Sequence, residues 1–384
     1  MSDTPLITSD TALREVCQQL ASSPFLAVDT EFVREYNYYP QLCLIQVASA
    51  DFVVCIDPMG GLDLTPLRDI LYAPQTVKVM HAAHQDLEAF YHLWSALPQP
   101  LFDTQVAAAF LGLGEQIGYA GLVKHFLHLD IDKSQTRTDW RKRPFTQKQL
   151  QYAADDVRHL ARIYPEVCAL LSDDGRLAWL QDEMLALYTP ERFIPSPETQ
   201  WQRIKGVRNL RGVTLAIARE LAAWREQTAI QTDKPRRTIL SDEWLIDLAR
   251  LQPAHSDALS HQRNLPPALT SRYAPAIVEC VVRAKSLPKE LWPQLPHYQS
   301  LNATQEALLE ALWAIVKLTA QRHNITPSIL VTRGDLEHLI LGNDDLDVLR
   351  GWRQIICGND LRAFLRGETR LAYVANRLTL APCN

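Results

Sequence analysis

The sequence has no pair of cysteines at the C-x-x-C spacing that a cysteine-bound structural zinc site uses. Its seven cysteines are odd in number, scattered, and mostly set among apolar neighbours, as in Leu42-Cys43-Leu44. Such cysteines are typical of reduced core side chains. We therefore expect no disulfide framework, and any metal is expected to bind to oxygen ligands.

Long apolar runs and nucleophile motifs are also missing. No run reaches the roughly 20 apolar residues that cross a membrane, and the first residues, 1–5, show no basic segment followed by an apolar stretch. There is no Gly-rich phosphate loop and no persuasive Ser-His-Asp or Cys-His signature. These absences predict a cytoplasmic protein with no membrane partner, and chemistry without a covalent intermediate.

The 384 residues are long enough for two or three domains, and their charge is unevenly distributed. Residues 1–200 carry 15 Lys and Arg against 26 Asp and Glu, a net charge of −11, whereas residues 201–384 carry 24 against 18, a net charge of +6. An acidic half followed by a basic half is what a metal-dependent nucleic-acid enzyme with a binding appendage would show. A chance distribution of solvated surface charge is the alternative.

The first half of the chain alternates between strand-like and helix-like patterns. Three short runs rich in β-branched and aromatic residues predict consecutive antiparallel strands at 25–33, 42–48 and 52–56. A helix at 64–72, a strand at 77–81 and a helix at 85–94 follow, and helical periodicity continues at 105–111, 122–127 and 147–171. The order predicts a three-layer α/β domain with parallel strands added to an antiparallel start.

Three prolines within residues 188–197 predict an extended, semi-rigid connector and a domain boundary. Beyond it the sequence is helix-rich without strand-like alternation. The apolar spacing around Trp224 and Trp244 recurs around Trp313 and Leu336, at an offset of roughly 90 residues, which predicts two small helical domains. General helical packing would produce the same similarity.

Two carboxylates two residues apart stand in the first predicted strand. Asp29 and Glu31 point to the same face because side chains alternate along a strand. An exposed acidic strand face is the alternative, but Val28, Phe32 and Val33 flank the pair. Carboxylates gathered on a half-buried strand are tolerated when divalent cations neutralise them.

Two further segments complete the acidic set. Asp86 lies at the junction of a predicted strand and helix, where open α/β sheets place functional groups, although a helix N-terminus also favours an acid there. Tyr152 and Asp156 are four apart on a predicted helix and share one face, while Asp155 is rotated away. The phenol can orient an attacking water beside a metal-binding Asp156, or it can simply pack on the next turn. Together these residues indicate a two-metal nuclease.

Residues 133–143 form the most basic stretch of the acidic half. We interpret it as a loop that guides a nucleic-acid strand, with Lys133 and Arg137 near phosphates and Trp140 stacked on a base. A solvated loop with Trp140 packed on the core is the alternative. Thr30, between the two strand acids, is also predicted to contact nucleic acid.

The five site residues resemble the DEDD superfamily of 3′→5′ exonucleases, in the branch whose third motif contains Tyr. Residues 38–46, 101–105, 129–134 and 138–140 look like segments of the ribonuclease D family, in the same order and at similar spacing. The resemblance covers residues 1 to 190. The tail resembles two helicase-and-ribonuclease-D C-terminal (HRDC) modules at 208–288 and 298–376, after a Pro-rich linker at 191–207.

This resemblance implies an α/β ribonuclease H-like exonuclease domain, with a mixed sheet flanked by helices, followed by two all-α HRDC-like domains. It also implies a monomeric enzyme that removes nucleotides one at a time from RNA with a free 3′ end, chiefly transfer-RNA precursors. The residues it implies for two Mg²⁺ or Mn²⁺ ions are Asp29, Glu31, Asp86 and Asp156, with Tyr152 orienting water. A DNA 3′→5′ exonuclease and a noncatalytic RNA-binding protein are the alternatives.

Overall fold

The computed structural model describes residues 4–132, 134–135, 138–260, 265–295 and 300–383. A six-stranded mixed sheet forms the centre of the first half, with the spatial order β1-β4-β3-β2-β5-β6. The strands are β1 (Leu6–Ile7), β2 (Phe25–Val33), β3 (Gln41–Ala48), β4 (Val53–Ile56), β5 (Val77–Met80) and β6 (Leu101–Asp103).

The pairing places β2 in the interior of this sheet. It pairs antiparallel with β3 and parallel with β5, while β3 pairs antiparallel with β4. The two outermost pairs, β1 with β4 and β5 with β6, are parallel. The four predicted strands and the mixed sheet are confirmed. The two edge strands were not predicted because two or three residues are too few to show a period.

Helices cover both faces of the sheet, and the predicted helices are confirmed to within a few residues. The longest, α6, begins with a reciprocal capping box between Thr146 and Gln149 and packs across β2, β3 and β4. Its small buried Ala153 and Ala154 pack with the β3 residue Leu44, which brings the helix close to the sheet. The helices of this domain are α1 (Asp10–Leu20), α2 (Thr65–Leu71), α3 (His84–Trp94), α4 (Thr104–Phe110), α5 (Tyr119–Leu127), α6 (Gln147–Asp173) and α7 (Leu177–Leu187).

The Pro-rich connector is folded, so the prediction of an extended segment is wrong. It contains three short 3₁₀ helices, Pro190–Arg192, Pro197–Arg203 and Val207–Asn209. Phe193 packs in the core of the first domain, whereas Trp201 packs in the core of the next unit. Burial of these two aromatic side chains outweighs the tendency of the prolines to extend the chain.

The second half contains two helical units with separate cores. The first unit comprises α8 (Gly212–Thr232), α9 (Arg236–Ile239), α10 (Asp242–Leu251), α11 (Asp257–Ser260), α12 (Pro267–Thr270) and α13 (Ala274–Ser286). The second comprises α14 (Ala303–Arg322), α15 (Pro327–Leu330), α16 (Arg333–Ile340), α17 (Gly351–Arg353), a π-helical segment Gln354–Gly358 and α18 (Asn359–Leu365).

The second unit ends in a β-hairpin, which corrects the expectation of purely helical segments. β7 (Thr369–Val374) pairs antiparallel with β8 (Arg377–Pro382). Leu371 and Leu380 face each other across the hairpin and pack against the helical core. The positive φ of Ala375 and Asn376 closes the two-residue turn, a conformation that a sequence scan does not expect of alanine.

The first helical unit docks on the loop between β2 and β3. Glu226 of α8 is fully buried, and it accepts hydrogen bonds from the Tyr38 hydroxyl and from the Arg236 guanidinium. Asp233, at the end of α8, accepts hydrogen bonds from the backbone N–H groups of Tyr38 and Tyr39 at 3.0 and 3.1 Å. Tyr38 and the two backbone N–H groups therefore join the loop to α8, and losing the Tyr38 donor would leave the buried Glu226 carboxylate less well paired.

The second helical unit docks on α7 and on the end of α4. The ring of Trp352 stacks on Trp179 of α7, with centroids 4.7 Å apart and planes 5° from parallel. Arg353 pairs with Glu183, and the backbone N–H of Thr326 donates to the carbonyl of Ala109 at 2.9 Å. Both helical units are therefore attached to the α/β domain.

Among the helices of the described residues, none combines the length and the apolar character that spanning a membrane requires.

We expect Tyr38→Phe to lower the free energy of unfolding by about 1.5–3 kcal/mol, because it removes a buried hydrogen bond to a charged carboxylate. Urea denaturation followed by tryptophan fluorescence measures the change. The control is Tyr373→Phe, at a side chain that is 71% exposed on the hairpin, where a change within about 0.5 kcal/mol is expected. Equal effects of the two substitutions would contradict the docking role of Tyr38.

Candidate active site

Three carboxylates from two elements meet above the middle of the sheet. Asp29 and Glu31 leave β2 on one face, and Asp156 comes from α6, which crosses that face. One ligand atom from each of the three lies within 4.8 Å of the others. The structure therefore brings Asp156 to a pair of acids that lie 125 and 127 positions before it in the chain.

Negative charges at this distance make each group harder to ionise. Burial and the nearby Asp156 raise the pKa of Asp29 to about 8, and burial together with Asp29 raises the pKa of Glu31 to about 9. Burial raises the pKa of Asp156 to about 7. Without a cation these carboxyl groups therefore hold protons near neutral pH, and a bound divalent cation would displace them.

Asp86 lies beside this trio and is held by Thr30. It stands in the first turn of α3, and its carboxylate accepts a hydrogen bond from the Thr30 hydroxyl at 2.5 Å. Burial and the charge of Asp29 raise the pKa of Asp86, which indicates that the fourth acid faces the same site. Thr30 is only 6% exposed, and its hydroxyl is engaged with Asp86; its predicted contact with nucleic acid stays a prediction.

Tyr152 stands one turn before Asp156 on α6 and packs on Trp140, with ring centroids 6.3 Å apart. Trp140 is only 4% exposed, so the prediction that it stacks on a base is corrected: the ring packs in the core beside Tyr152. Phe145 packs against Trp140 as well. The prediction was based on the basic residues around Trp140, and these do not show that the ring itself faces the core.

Two arginines of the basic loop, Arg141 and Arg143, form ion pairs with aspartates. Arg143 forms two hydrogen bonds of 2.6 Å with Asp57, and Arg141 pairs with Asp139 at 2.9 Å. Arg143 also donates to the carbonyls of Trp140 and Cys43, which fixes the loop on β3. The predicted phosphate contacts Lys133 and Arg137 lie outside the described residues and stay predictions.

Tyr119 supports the site and was not identified from the sequence. Its hydroxyl donates to the backbone carbonyl of Asp156 at 2.6 Å and lies 3.0 Å from that of Asp155. Asp155 itself pairs with Arg158 and accepts from Gln151, so it points away from the trio. Tyr119 could not be identified from the spacing of nearby residues, because the backbone atoms it contacts are 36 and 37 positions away in the chain.

A cleft of about 1000 Å³ lies between the α/β domain and the first helical unit. Arg34, three residues beyond Glu31, lines it together with His84 of α3, two residues before Asp86. The cleft therefore begins at the same strand and helix ends that carry the acids. Cationic side chains from the connector and from α9 also line it, namely Arg192, Arg203, Arg236 and Arg237, and they outnumber the acidic lining residues Glu88, Glu191 and Asp242.

The donor set fits hard divalent cations. All groups in the trio are carboxylate oxygens, which Mg²⁺ and Mn²⁺ prefer, and the trio contains no thiol or imidazole. The raised pKa values of Asp29 and Glu31 also favour a cation site, because a cation that binds between the carboxylates relieves their mutual repulsion.

Comparisons with known proteins agree with this geometry. A family model described as a 3′-5′ exonuclease matches residues 5–171, and one described as an HRDC domain matches residues 214–281. Ribonuclease D of Gluconacetobacter diazotrophicus is 37% identical over 99% of this chain and 97% of its own, and that of Zymomonas mobilis is 37% identical over 98% and 97%. This chain belongs to the ribonuclease D family.

A solved structure extends the agreement to the whole fold. Escherichia coli RNase D, described as an exoribonuclease involved in structured RNA processing, matches with a TM-score of 0.82 at 31% identity, over 95% of this chain and 99% of that one. Membership of the ribonuclease D family makes the chain a 3′→5′ exoribonuclease, and the exonuclease domain implies the use of divalent metal. The HRDC match lies within the first helical unit.

We predict that Mg²⁺ or Mn²⁺ raises the melting temperature of chelator-treated protein, and by more at pH 8 than at pH 6. At pH 6 the carboxyl groups hold protons that compete with the cation. Because folding raises their pKa values from the ordinary values of 3.8 and 4.5, the free energy of unfolding without metal falls as the pH rises from those values to about 7 to 9, and the cation offsets that loss. Differential scanning fluorimetry measures both effects, with Asp156→Asn as a control that should respond less. An equal response at both pH values would contradict this assignment.

We expect Thr30→Val to weaken metal affinity by about 10- to 100-fold, because Asp86 loses the donor that orients it. Thr30→Ser keeps the hydroxyl and should restore most of that affinity. Isothermal titration with Mn²⁺ compares the variants without RNA. Equal affinities for the valine and serine variants would show that the hydroxyl is unimportant.

Proposed function

We propose that this protein shortens RNA from its 3′ end, one nucleotide at a time, by two-metal-ion hydrolysis, and that transfer-RNA precursors are its substrates. The observation that carries the proposal is the convergence of Asp29, Glu31 and Asp156 within 4.8 Å, with Asp86 beside them. Four acids around one point match a pair of Mg²⁺ or Mn²⁺ ions. When bound, such ions activate a water molecule and stabilise the leaving 3′ oxygen.

The protein's own residues contribute position and charge. The four carboxylates offer oxygen ligands from two strand positions and two helices, so their spacing is fixed by the packing of α3 and α6 on the sheet. Tyr152 is one turn from Asp156 and is supported by Trp140. Its phenol would donate a hydrogen bond to the attacking water or accept one from it, and this contact would orient the water toward the terminal phosphorus.

The path of the RNA upstream of the reacting phosphate follows the cleft between the α/β domain and the first helical unit. Arg192, Arg203 and Arg237 are exposed in this cleft, and no ion pair to them is found among the described residues. Free guanidinium groups bind phosphates and give salt-dependent affinity. The net charge of +6 on residues 201–384 supports RNA binding by the helical units at 208–288 and 298–376, which we propose as two HRDC-like modules.

A structured RNA substrate is consistent with what is stated for the Escherichia coli relative, which is involved in structured RNA processing. We propose transfer-RNA precursors with extra 3′ nucleotides as the main members of that class. The protein would act as a monomer, because the acids, the tyrosine and the cationic cleft all come from one chain.

A time course on 3′-extended transfer RNA tests this proposal. With Mg²⁺ or Mn²⁺, we expect products shortened by single nucleotides and released as 5′-mononucleotides, and with a chelator no cleavage. Asp29→Asn and Asp156→Asn should reduce the rate by at least about 10³-fold, because an active site that works as a unit fails when one member is removed. Filter binding should show nearly unchanged RNA affinity for both variants.

Three outcomes would redirect the assignment. Internal cuts would contradict exonuclease action, and near-normal rates for either asparagine variant would contradict the role of that acid. Equal or faster digestion of a DNA oligonucleotide of the same sequence would favour a DNA exonuclease, since the acids do not distinguish the two sugars.

A further inference from the structure

Gln46 is a fully buried amide without a hydrogen-bond partner among the residues that the structure describes. Both its side-chain nitrogen and its side-chain oxygen lack a partner, and the residue is 0% exposed. Leaving a buried polar group unpaired costs about 1–3 kcal/mol, and most buried polar groups are paired. A leucine or methionine would fill the same space without that cost, so an amide at this buried position indicates a polar role.

The sheet register places Gln46 next to the acidic trio. Gln46 on β3 is the cross-strand partner of Asp29 on β2. Directly opposed residues of an antiparallel pair leave the sheet on the same face, with Cβ atoms about 4.5–5.5 Å apart. The Gln46 side chain therefore lies beside Asp29, on the face that carries Asp29 and Glu31.

Helix α6 covers the face of the sheet on which Gln46 lies, which limits the groups that the amide can reach. Leu44, two residues before Gln46 and on the same face of β3, packs with Ala153 and Ala154 of α6. The same helix carries Asp156 one turn further on. Gln46 is thus enclosed between β2 and α6, the two elements whose carboxylates form the trio, and Asp29 is its acidic cross-strand neighbour.

We propose that Gln46 is a positioning residue for Asp29, whose carboxylate accepts a hydrogen bond from the Gln46 amide when the site holds divalent cations. A carboxylate oxygen has two lone pairs, so it can bind a cation and accept a hydrogen bond together. Metal-binding carboxylates are commonly held by such a donor, which fixes the direction of the oxygen that faces the ion. The inference rests on the proposed metal site.

The test replaces the amide by an apolar side chain of similar size, Gln46→Met. The matched control is Leu44→Met, two residues away on the same face, which changes packing but removes no polar group. In the presence of a chelator, we expect Gln46→Met to melt at or above the temperature of the unaltered protein, because an unpaired buried amide is removed. Its affinity for Mn²⁺, measured by isothermal titration without RNA, should fall by about 10-fold or more, while Leu44→Met keeps its affinity.

Steady-state kinetics on a 3′-extended RNA gives a second readout. The kcat of Gln46→Met should fall in parallel with metal affinity at fixed Mn²⁺, whereas KM for the RNA should change by less than about 2-fold, because Gln46 is buried and does not meet the substrate. Saturating Mn²⁺ should recover part of the rate.

The proposal is overturned if Gln46→Met binds Mn²⁺ as tightly as the Leu44→Met control. It is also overturned if Gln46→Met and a second variant, Gln46→Leu, both fail to fold in chelator, because the amide would then serve the fold itself. The Mn²⁺ titration is independent of RNA cleavage. A protein that binds Mn²⁺ through this site but does not digest RNA would therefore contradict the proposed function and leave the role of Gln46 intact.

Discussion

Mutual repulsion among partly buried carboxylates is the constraint on which the rest of this structure depends. Asp29, Glu31 and Asp156 lie within 4.8 Å of one another, and their pKa values rise to between about 7 and 9 because burial and neighbouring charge oppose ionisation. A flexible scaffold would relieve this repulsion by moving the groups apart. Here the acids come from an interior strand and a 27-residue helix with a capped N-terminus, and the packing of these two elements fixes their spacing.

Contacts around the acids also hold the carboxylates and their supporting elements in place. Tyr119 holds the backbone of α6 at Asp156, Thr30 holds the carboxylate of Asp86, and Arg143 fastens the loop that places Trp140 under Tyr152. Each contact acts on an element that carries one functional group. The positions of the acids are therefore fixed by hydrogen bonds and packing within the protein itself.

The helical units are connected to the site through the loop that follows β2. That loop begins within a few residues of Glu31, and Tyr38 in it donates to the buried Glu226 of the first helical unit. The same junction forms one wall of the cationic cleft. Docking of this unit thus shapes the cleft beside the ends of β2 and α3.

The sequence by itself determined the local parts of this protein. It was enough to predict β2, β3, α6 and the face shared by Asp29 and Glu31, because alternation and helical spacing depend on near neighbours in the chain. It also identified the acids and the family, because these depend on residue type and order. Only the tertiary structure decided that Trp140 faces inward, that the proline-rich connector folds against two cores, that a hairpin closes the second unit, and that Gln46 lies beside Asp29. These outcomes are set by packing and pairing between segments far apart in the chain, and no local pattern records which distant surface a side chain will meet.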